Sequence, residues 1–313
     1  MQKRSLAALM AGACLLFVVA AWGRPPQAQA KSLAAALAAK LQSRLERTAA
    51  SLDGVMGIYA RNLETGQAFA VNANHVFPQG SSIKIPILIT LLRQDQLGRL
   101  HLSDRVTIRR AQLVGGSGVL QFFGDGSSSL SLHDLAVLMI VLSDNTATNI
   151  LIDRVGMASV NAEIRRAGLV HTRLERKMMD TAAERTGHEN VSTPREMATL
   201  LAQLYRGRLL DPAHTALALH LLEDYKVTPL RAGVPAGIPV ADKPGLLLGV
   251  RCDTGLVLLQ RAPYVLSVMT SYDTENPSPN QAITAVSHAV FSYFDRIARS
   301  NAFGALVWPP QAR

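Results

Sequence analysis

What most constrains this chain is where its two hydrophobic periodicities fall. Val55–Asn62 and Gln67–Asn72 read as strands around the turn Glu64-Thr65-Gly66. Strand-like runs then cease until 238–243, 248–260 and 264–271. From about 81 to 225 the signals are mainly helical. Ser131-Leu132-His133-Asp134 reads as a capping box opening an apolar helix to Leu142. Thr193-Pro194-Arg195-Glu196 reads as a second box, with proline at the first helical position. Amphipathic helices over 31–50 and about 280–299 bracket the whole. Strands split by so long a helical insert must pair across it, so both chain ends share one sheet and the middle forms a second lobe. The expectation is an α/β (α+β) fold: a sheet lobe from about 31–80 and 226–313, a helical lobe from about 81–225, and a site in the cleft between them.

The N-terminus is a separate matter. Lys3 and Arg4 precede an apolar run from Leu6 to Trp22, followed by Gly23-Arg24-Pro25-Pro26 and Ala28-Gln29-Ala30. A basic start, an apolar run and a small-x-small site make a secretory signal peptide over 1–30, with an uncleaved anchor helix as the alternative. Cys14 lies midway through the run, with Ala11 where a lipoprotein site wants leucine. The expected product is exported, periplasmic or extracellular, and free of the membrane after cleavage. Losing Lys3, Arg4 and Arg24 and no acid lowers the formal charge from +9 to +6.

Hydrophobic residues make up 48% of the 313 and charged residues 18%, enough for one large core. The basic excess has no Lys/Arg block behind it, and only seven of the 32 basic residues are lysine. Nucleic acid is therefore not an expected partner. Two cysteines make neither a disulfide framework nor a zinc cage, and after cleavage Cys252 is a lone thiol. The eight histidines lack metal spacing, so no metal or cofactor is expected.

Three short elements can carry chemistry. Ser81-Ser82-Ile83-Lys84 follows the turn-like Phe77-Pro78-Gln79-Gly80 and leads into an apolar run. If a helix starts at Ser81, Lys84 lies one turn on, over the same face. A lysine in a water-poor site can lose its proton and act as base for the neighbouring hydroxyl. Ser143-Asp144-Asn145 sits between two helical runs, where a hydroxyl and a carboxamide could relay a proton and grip an amide carbonyl. Its bland reading is a polar turn with Asn145 as cap. Lys243-Pro244-Gly245, at the end of an apparent strand, offers positive potential and close backbone approach.

Taken in order, Ser-x-x-Lys, Ser-Asp-Asn and Lys-x-Gly are signature elements of the penicillin-recognising serine enzymes. The chain resembles class A β-lactamases over nearly its whole mature length. Supporting stretches include Ser143-Asp-Asn-Thr-Ala-x-Asn149, Thr172-Arg-Leu-Glu-Arg176 and Pro194 with Met197-Ala198. The resemblance implies a β-lactamase/DD-peptidase fold with an antiparallel sheet. Ser81 would be the acylated nucleophile and Lys84 its base or proton relay. Ser143 would pass a proton to the leaving nitrogen, and Asn145 would hold the substrate's side-chain amide. Lys243 would attract the substrate carboxylate, and Gly245 would let its backbone approach. The N–H groups of Ser81 and Leu246 would form an oxyanion hole, worth roughly 3–4 kcal/mol per donor. Arg251, offset from the usual arginine, is a candidate carboxylate anchor.

Two departures follow from the same resemblance. Two residues past Arg176 the pattern expects the glutamate that activates the deacylating water; Met178 stands there. The aspartate that usually meets the loop arginine falls at Asn190, so the loop is held differently, and Asp180, Glu184 and Glu175 are substitute bases on other loop paths. Pro244 also removes a hydroxyl from the Lys-Thr-Gly pattern. The leading expectation is a monomeric secreted serine hydrolase that opens β-lactam rings. The alternatives are a peptidase acting on D-Ala-D-Ala-like peptides, an esterase, or a weakly catalytic protein that binds wall fragments.

Overall fold

The computed structural model describes residues 26–307 apart from 225 and 275–277, with the backbone alone for 26–32. The leader reading falls on 1–30, of which 1–25 lie outside the described residues. No helix among those described is long and apolar enough to cross a membrane.

Helix α1 (Pro26–Ser51) leads into β1 (Val55–Asn62), β2 (Ala68–Val71) and β3 (Phe77–Pro78), then a 3-10 turn over Gly80–Ile83 that runs into α2 (Lys84–Gln96). The insert continues through β4 (Arg105–Thr107), β5 (Ser129–Ser131), α3 (Leu132–Val141), α4 (Asn145–Val155), α5 (Met157–Arg166) and α6 (Thr181–Arg185). It ends with β6 (Val191–Ser192), α7 (Pro194–Tyr205), α8 (Pro212–Glu223) and α9 (Pro229–Ala232). Strands β7 (Val240–Leu247), β8 (Val250–Val257) and β9 (Tyr264–Ser271) and helix α10 (Pro279–Arg299) complete it.

The two chain ends share a five-stranded sheet in the order β2-β1-β9-β8-β7, every pair antiparallel. β1 lies against β9 in register from Val55↔Ser271 to Asn62↔Tyr264. Both faces of these strands are covered, which is why β1 reads as a nearly continuous apolar run rather than a clean alternation. On one face Leu41, Leu45, Phe69, Tyr264, Val290 and Phe294 form a core with α1 and α10. On the other, α7 packs on β1, β8 and β9, and its core runs on into the helical insert. Helix α2 is buried from Lys84 to Leu92 because α3, α4, α5 and α8 all pack around it.

Three local expectations change. The α-helix begins at Lys84, and Ser81 sits in the 3-10 turn before it. Residues three apart share a face in a 3-10 turn, so Lys84 stays on the Ser81 side, although its amine bonds Ser143 and Asn145. Lys243-Pro244-Gly245 lies inside β7 rather than at its end; a proline fits there because β7 is an edge strand. Ser131 and Asp134 do form the reciprocal box at α3, but Thr193 forms only half of one. Its hydroxyl takes the Glu196 N–H, while the Glu196 carboxylate is engaged elsewhere.

Candidate active site

Two glycines set the floor of the site. Gly80 has φ +50°, and a Cβ there would lie 2.6 Å from the Leu246 nitrogen. A Cβ on Gly245 would lie 2.0 Å from the Gln79 carbonyl oxygen. Only glycine lets the 3-10 turn seat this closely on the sheet edge. Ser82 pins the contact, its hydroxyl donating to the Lys243 carbonyl at 3.0 Å. Ser81 and Leu246 thereby line one cleft of about 300 Å³, together with Gly116, Asn145, Met178 and Met179.

Behind Ser81 lies a buried polar network. Lys84, with no exposed surface, donates to the Ser143 carbonyl (2.6 Å), the Ser143 hydroxyl (3.1 Å) and Asn145 Oδ1 (3.0 Å). Burial, and then the charge of Lys243, hold its pKa well below the usual lysine value, against the pull of Asp144. The three donated bonds use every hydrogen of the ammonium; on losing one of them the amine gains the lone pair that can accept a hydroxyl proton. Lys243 is equally buried and also reaches the Ser143 hydroxyl, at 3.1 Å. Burial and the neighbouring Lys226 push its pKa down to about 7, against Asp242 and Asp253. The Ser143 hydroxyl thus accepts from two amines and keeps its own O–H to donate.

Ser143 occupies the left-handed region, φ +55°, uncommon for a residue with a side chain. Asp144 holds that corner. Its carboxylate caps α4 through Ala147 N–H (2.9 Å) and takes the Val119 (2.7 Å) and Leu120 (2.8 Å) N–H groups. Asn145 Nδ2 gives one hydrogen to the Gly115 carbonyl (3.1 Å), leaving a second for a ligand.

The facing wall, residues 170–193, is tied down at four points. Glu196 takes the Val170 (3.0 Å), His171 (3.0 Å) and Thr172 (2.8 Å) N–H groups, and the Thr172 hydroxyl at 2.6 Å. Burial alone would raise its pKa, yet these donors outweigh it and hold the carboxyl low. The Arg176 guanidinium meets Glu189 with two bonds, 3.1 and 2.8 Å. Asn190 takes the Glu175 and Arg176 N–H groups and returns a bond to the Arg176 carbonyl. Asn149 brackets Met178, accepting from its N–H at 2.8 Å and donating to its carbonyl at 3.0 Å. Met178 is buried against the cleft, and Met179, at φ +64°, stands half-exposed at the rim.

The structure therefore places Ser81, Asn145 and Leu246 on one cleft, with Lys84, Ser143 and Lys243 joined in the network behind it. Gly245 faces the Gln79 backbone, so its lack of a side chain admits the 3-10 turn rather than a substrate. Arg251 does not line the cleft: its guanidinium donates to the Leu247 (3.1 Å) and Val250 (2.9 Å) carbonyls at the β7–β8 turn and lines an adjoining hollow beside Asp273 that shares Leu246 and Leu247 with the cleft. Asp180 caps α6, and Glu175 faces Arg173 and His188. Glu184 and Glu189 line the cleft, but both face Arg176. Sequence reasoning overlooked Glu189 and read Glu196 only as the end of a capping box, because their partners lie 13 and 24 residues back in the chain. It also overlooked Lys226, a buried lysine whose neighbourhood only the fold reveals.

The model of the β-lactamase enzyme family matches residues 38–294. β-Lactamase CARB-3 of Pseudomonas aeruginosa is 27% identical over 256 residues, covering 80% of this chain and 88% of its own. Among solved structures, that of PBP-A superposes with a TM-score of 0.76 at 30% identity, over 82% of this chain and 96% of its own. A mutant of PBP-A, solved as an acyl-enzyme complex with penicillin-G, gives the same figures. The β-lactamase of Sphaerobacter thermophilus superposes at 0.73 with 32% identity, over 80% of this chain and 94% of its own. The fold, the buried Ser–Lys network and these likenesses agree: the chain belongs to the β-lactamase enzyme family, as a class A-like serine hydrolase.

Proposed function

We propose that this is an exported enzyme that opens the β-lactam ring by acylating Ser81 and releases the product slowly. Lys84, kept neutral, takes the Ser81 proton as the hydroxyl attacks the ring carbonyl. The developing oxyanion is held by the Ser81 and Leu246 N–H groups. Ser143 delivers a proton to the departing nitrogen and is resupplied through Lys84. Asn145 holds the side-chain amide with its spare hydrogen, and Lys243 attracts the carboxylate.

One observation carries the second half of the reading. Release needs a base that activates water on the far side of the ester; the residue whose backbone Asn149 holds at the cleft is Met178, and its thioether cannot serve as that base. The cleft's carboxylates, Glu184 and Glu189, face Arg176 instead. Acylation without efficient release is also what a penicillin-binding peptidase shows towards β-lactams. The likeness to PBP-A, a mutant of which is known as an acyl-enzyme with penicillin-G, makes action on D-Ala-D-Ala-like peptides the second reading. An esterase would use the same serine. A mere wall-fragment binder would have no use for a Ser–Lys pair.

Mass spectrometry of the protein mixed with a penicillin and with a chromogenic cephalosporin tests this. A stoichiometric adduct on Ser81 that decays over many minutes is the expected result. Rapid steady-state hydrolysis without a burst overturns the slow-release reading, and no adduct with either compound overturns the whole.

A further inference from the structure

Methionine sulfur is oxidised where it is accessible, so the surroundings of each methionine decide its fate. Among the described residues, Met56, Met139, Met178, Met197 and Met269 are buried and Met157 is partly covered. Met179 is the one that stands open, 47% exposed, and it lines the rim of the cleft that holds Ser81. The other oxidisable side chain described, Cys252, is buried, and burial pushes its thiol pKa up, so it offers no thiolate to compete.

The backbone fixes where Met179 can reach. It sits at φ +64° between Met178, both of whose peptide groups bond Asn149, and Thr181, whose N–H donates to the Met179 carbonyl at 3.0 Å. From there the side chain meets the opposite wall. A Cβ on Gly116 would lie 3.1 Å from the Met179 sulfur and 2.7 Å from Asn145 Nδ2. Thioether and carboxamide nitrogen thus lie against the same side of one glycine, which has no side chain to part them. Asn145 is 7% exposed and gives one Nδ2 hydrogen to the Gly115 carbonyl. Its other hydrogen has no partner among the described residues. A thioether is a weak acceptor and leaves that hydrogen free for a ligand. A sulfoxide oxygen is polar and does not.

We propose that Met179 is a modification site: a peroxide converts its thioether to a sulfoxide, whose oxygen takes the free Asn145 hydrogen and shuts out the substrate's side-chain amide. It rests on the reading of Asn145 as that amide's partner. In the step, the sulfur lone pair attacks one oxygen of hydrogen peroxide, so an S–O bond forms as the O–O bond breaks. The departing hydroxide takes the proton from the transferred oxygen and leaves as water. The sulfur is oxidised by two electrons and the peroxide is reduced by the same two. Methionine sulfoxide reductases reverse the change, so the block can be lifted. Met178, the neighbouring thioether, is shielded by its burial and keeps its sulfur reduced.

The test treats the full protein with dilute hydrogen peroxide and maps oxygen uptake by peptide mass spectrometry. Met179 should gain its oxygen before Met157 and the buried methionines; the reverse order overturns the proposal. Adduct formation on Ser81 is then timed with benzylpenicillin, which carries a side-chain amide, and with 6-aminopenicillanic acid, which has a bare amine there. Oxidation should slow the first roughly five- to ten-fold, about the worth of one hydrogen bond, and change the second less than about two-fold. A methionine sulfoxide reductase should restore the first rate. Met179→Leu keeps the bulk without the reactive sulfur, and its rates should be the same before and after peroxide. Equal slowing of both substrates, or slowing that persists in Met179→Leu, overturns the inference. The Asn145 side-chain amide signals in nitrogen NMR give a readout that needs no reaction. They should shift on oxidation of the parent and not of Met179→Leu, and signals that stay put in the oxidised parent also overturn it. Should neither compound form an adduct while those signals move, the reading of the reaction fails and the sulfoxide contact stands.

Discussion

The two walls of the cleft are built on opposite plans. The wall behind Ser81 is a buried network in which Lys84, Ser143, Asn145 and Lys243 satisfy one another with few atoms to spare. The facing wall, residues 170–193, has as many hydrogen bonds, but they are spent on holding its own backbone. What it shows the cleft is the thioethers of Met178 and Met179 beside Thr181 and Asn190, with the acids Glu184 and Glu189 turned towards Arg176. On the proposed reading one wall passes protons while the other offers water no free base, and a site made this way would favour forming an ester over breaking it.

The most direct way to break the contrast is to disable the proton-passing wall. Ser81→Ala should abolish every covalent adduct with β-lactams or activated esters in mass spectrometry; an undiminished adduct would place the nucleophile elsewhere. Lys84→Ala should slow acylation ~10²–10⁴-fold in stopped-flow measurements, since it removes the proposed base one turn from the serine. Unchanged acylation would mean the one-turn spacing of the two is incidental.

The contrast can instead be erased from the other side. Met178→Glu gives the apolar wall a base, and steady-state turnover should rise ~10²-fold or more while acylation changes little. If turnover stays flat and Glu184→Gln or Asp180→Asn traps the ester instead, one of those acids already serves. A smaller effect should follow loosening of the same wall. Glu189→Gln leaves the Arg176 guanidinium, 5% exposed, short of its bidentate partner, which should cost about 3 kcal/mol in urea unfolding. Adduct formation on Ser81 should stay within a few-fold, because the opposite wall is untouched.

The smallest effect lies away from both walls and serves as a control. His214 bridges Asp95 and Asp211, each at 2.8 Å, tying α8 to the end of α2. Burial alone would lower its pKa, but the two carboxylates outweigh that and raise it. A raised histidine contributes stability in full below its unfolded value of about 6.5, and loses it as pH climbs through the folded value. The melting temperature should therefore fall between pH 6 and pH 9 by more in the parent than in His214→Gln, with adduct formation alike in both. Equal falls would mean the bridge carries no proton-linked stability.

How much of this could be read from the residues follows the range of each interaction. Strand and helix periods, the Ser131 cap and the three signature elements are local, and they mark β1, β9, α3 and the cleft residues directly. The start of α2 and the extent of β7 were misplaced because a 3-10 turn and an edge-strand proline leave no clear local pattern. Glu196 shows the limit well. Its spacing from Thr193 signals a capping box, yet its carboxylate takes up Thr172, 24 residues back. Arg251 is a candidate anchor only through the resemblance, and its bonds to the carbonyls of the turn beside it have no local sequence signal. Met178, by contrast, was visible as a departure, because a missing carboxylate in a known pattern is a local fact.

The contact between Gly80 and Gly245 has a consequence for how this chain can vary. Neither residue bears a side chain, titrates or touches a proton, yet a single added carbon at position 245 would sit 2.0 Å from Gln79. The distance between the 3-10 turn and the sheet edge, and hence between the two amides beside the serine, is fixed by what is absent. Most positions tolerate change by repacking a neighbour; here the neighbour is backbone and cannot move aside without parting turn from sheet. Two positions 165 residues apart are thereby bound to one shared fate in any descendant that keeps the site. A survey of single replacements should find them as unforgiving as Ser81 itself.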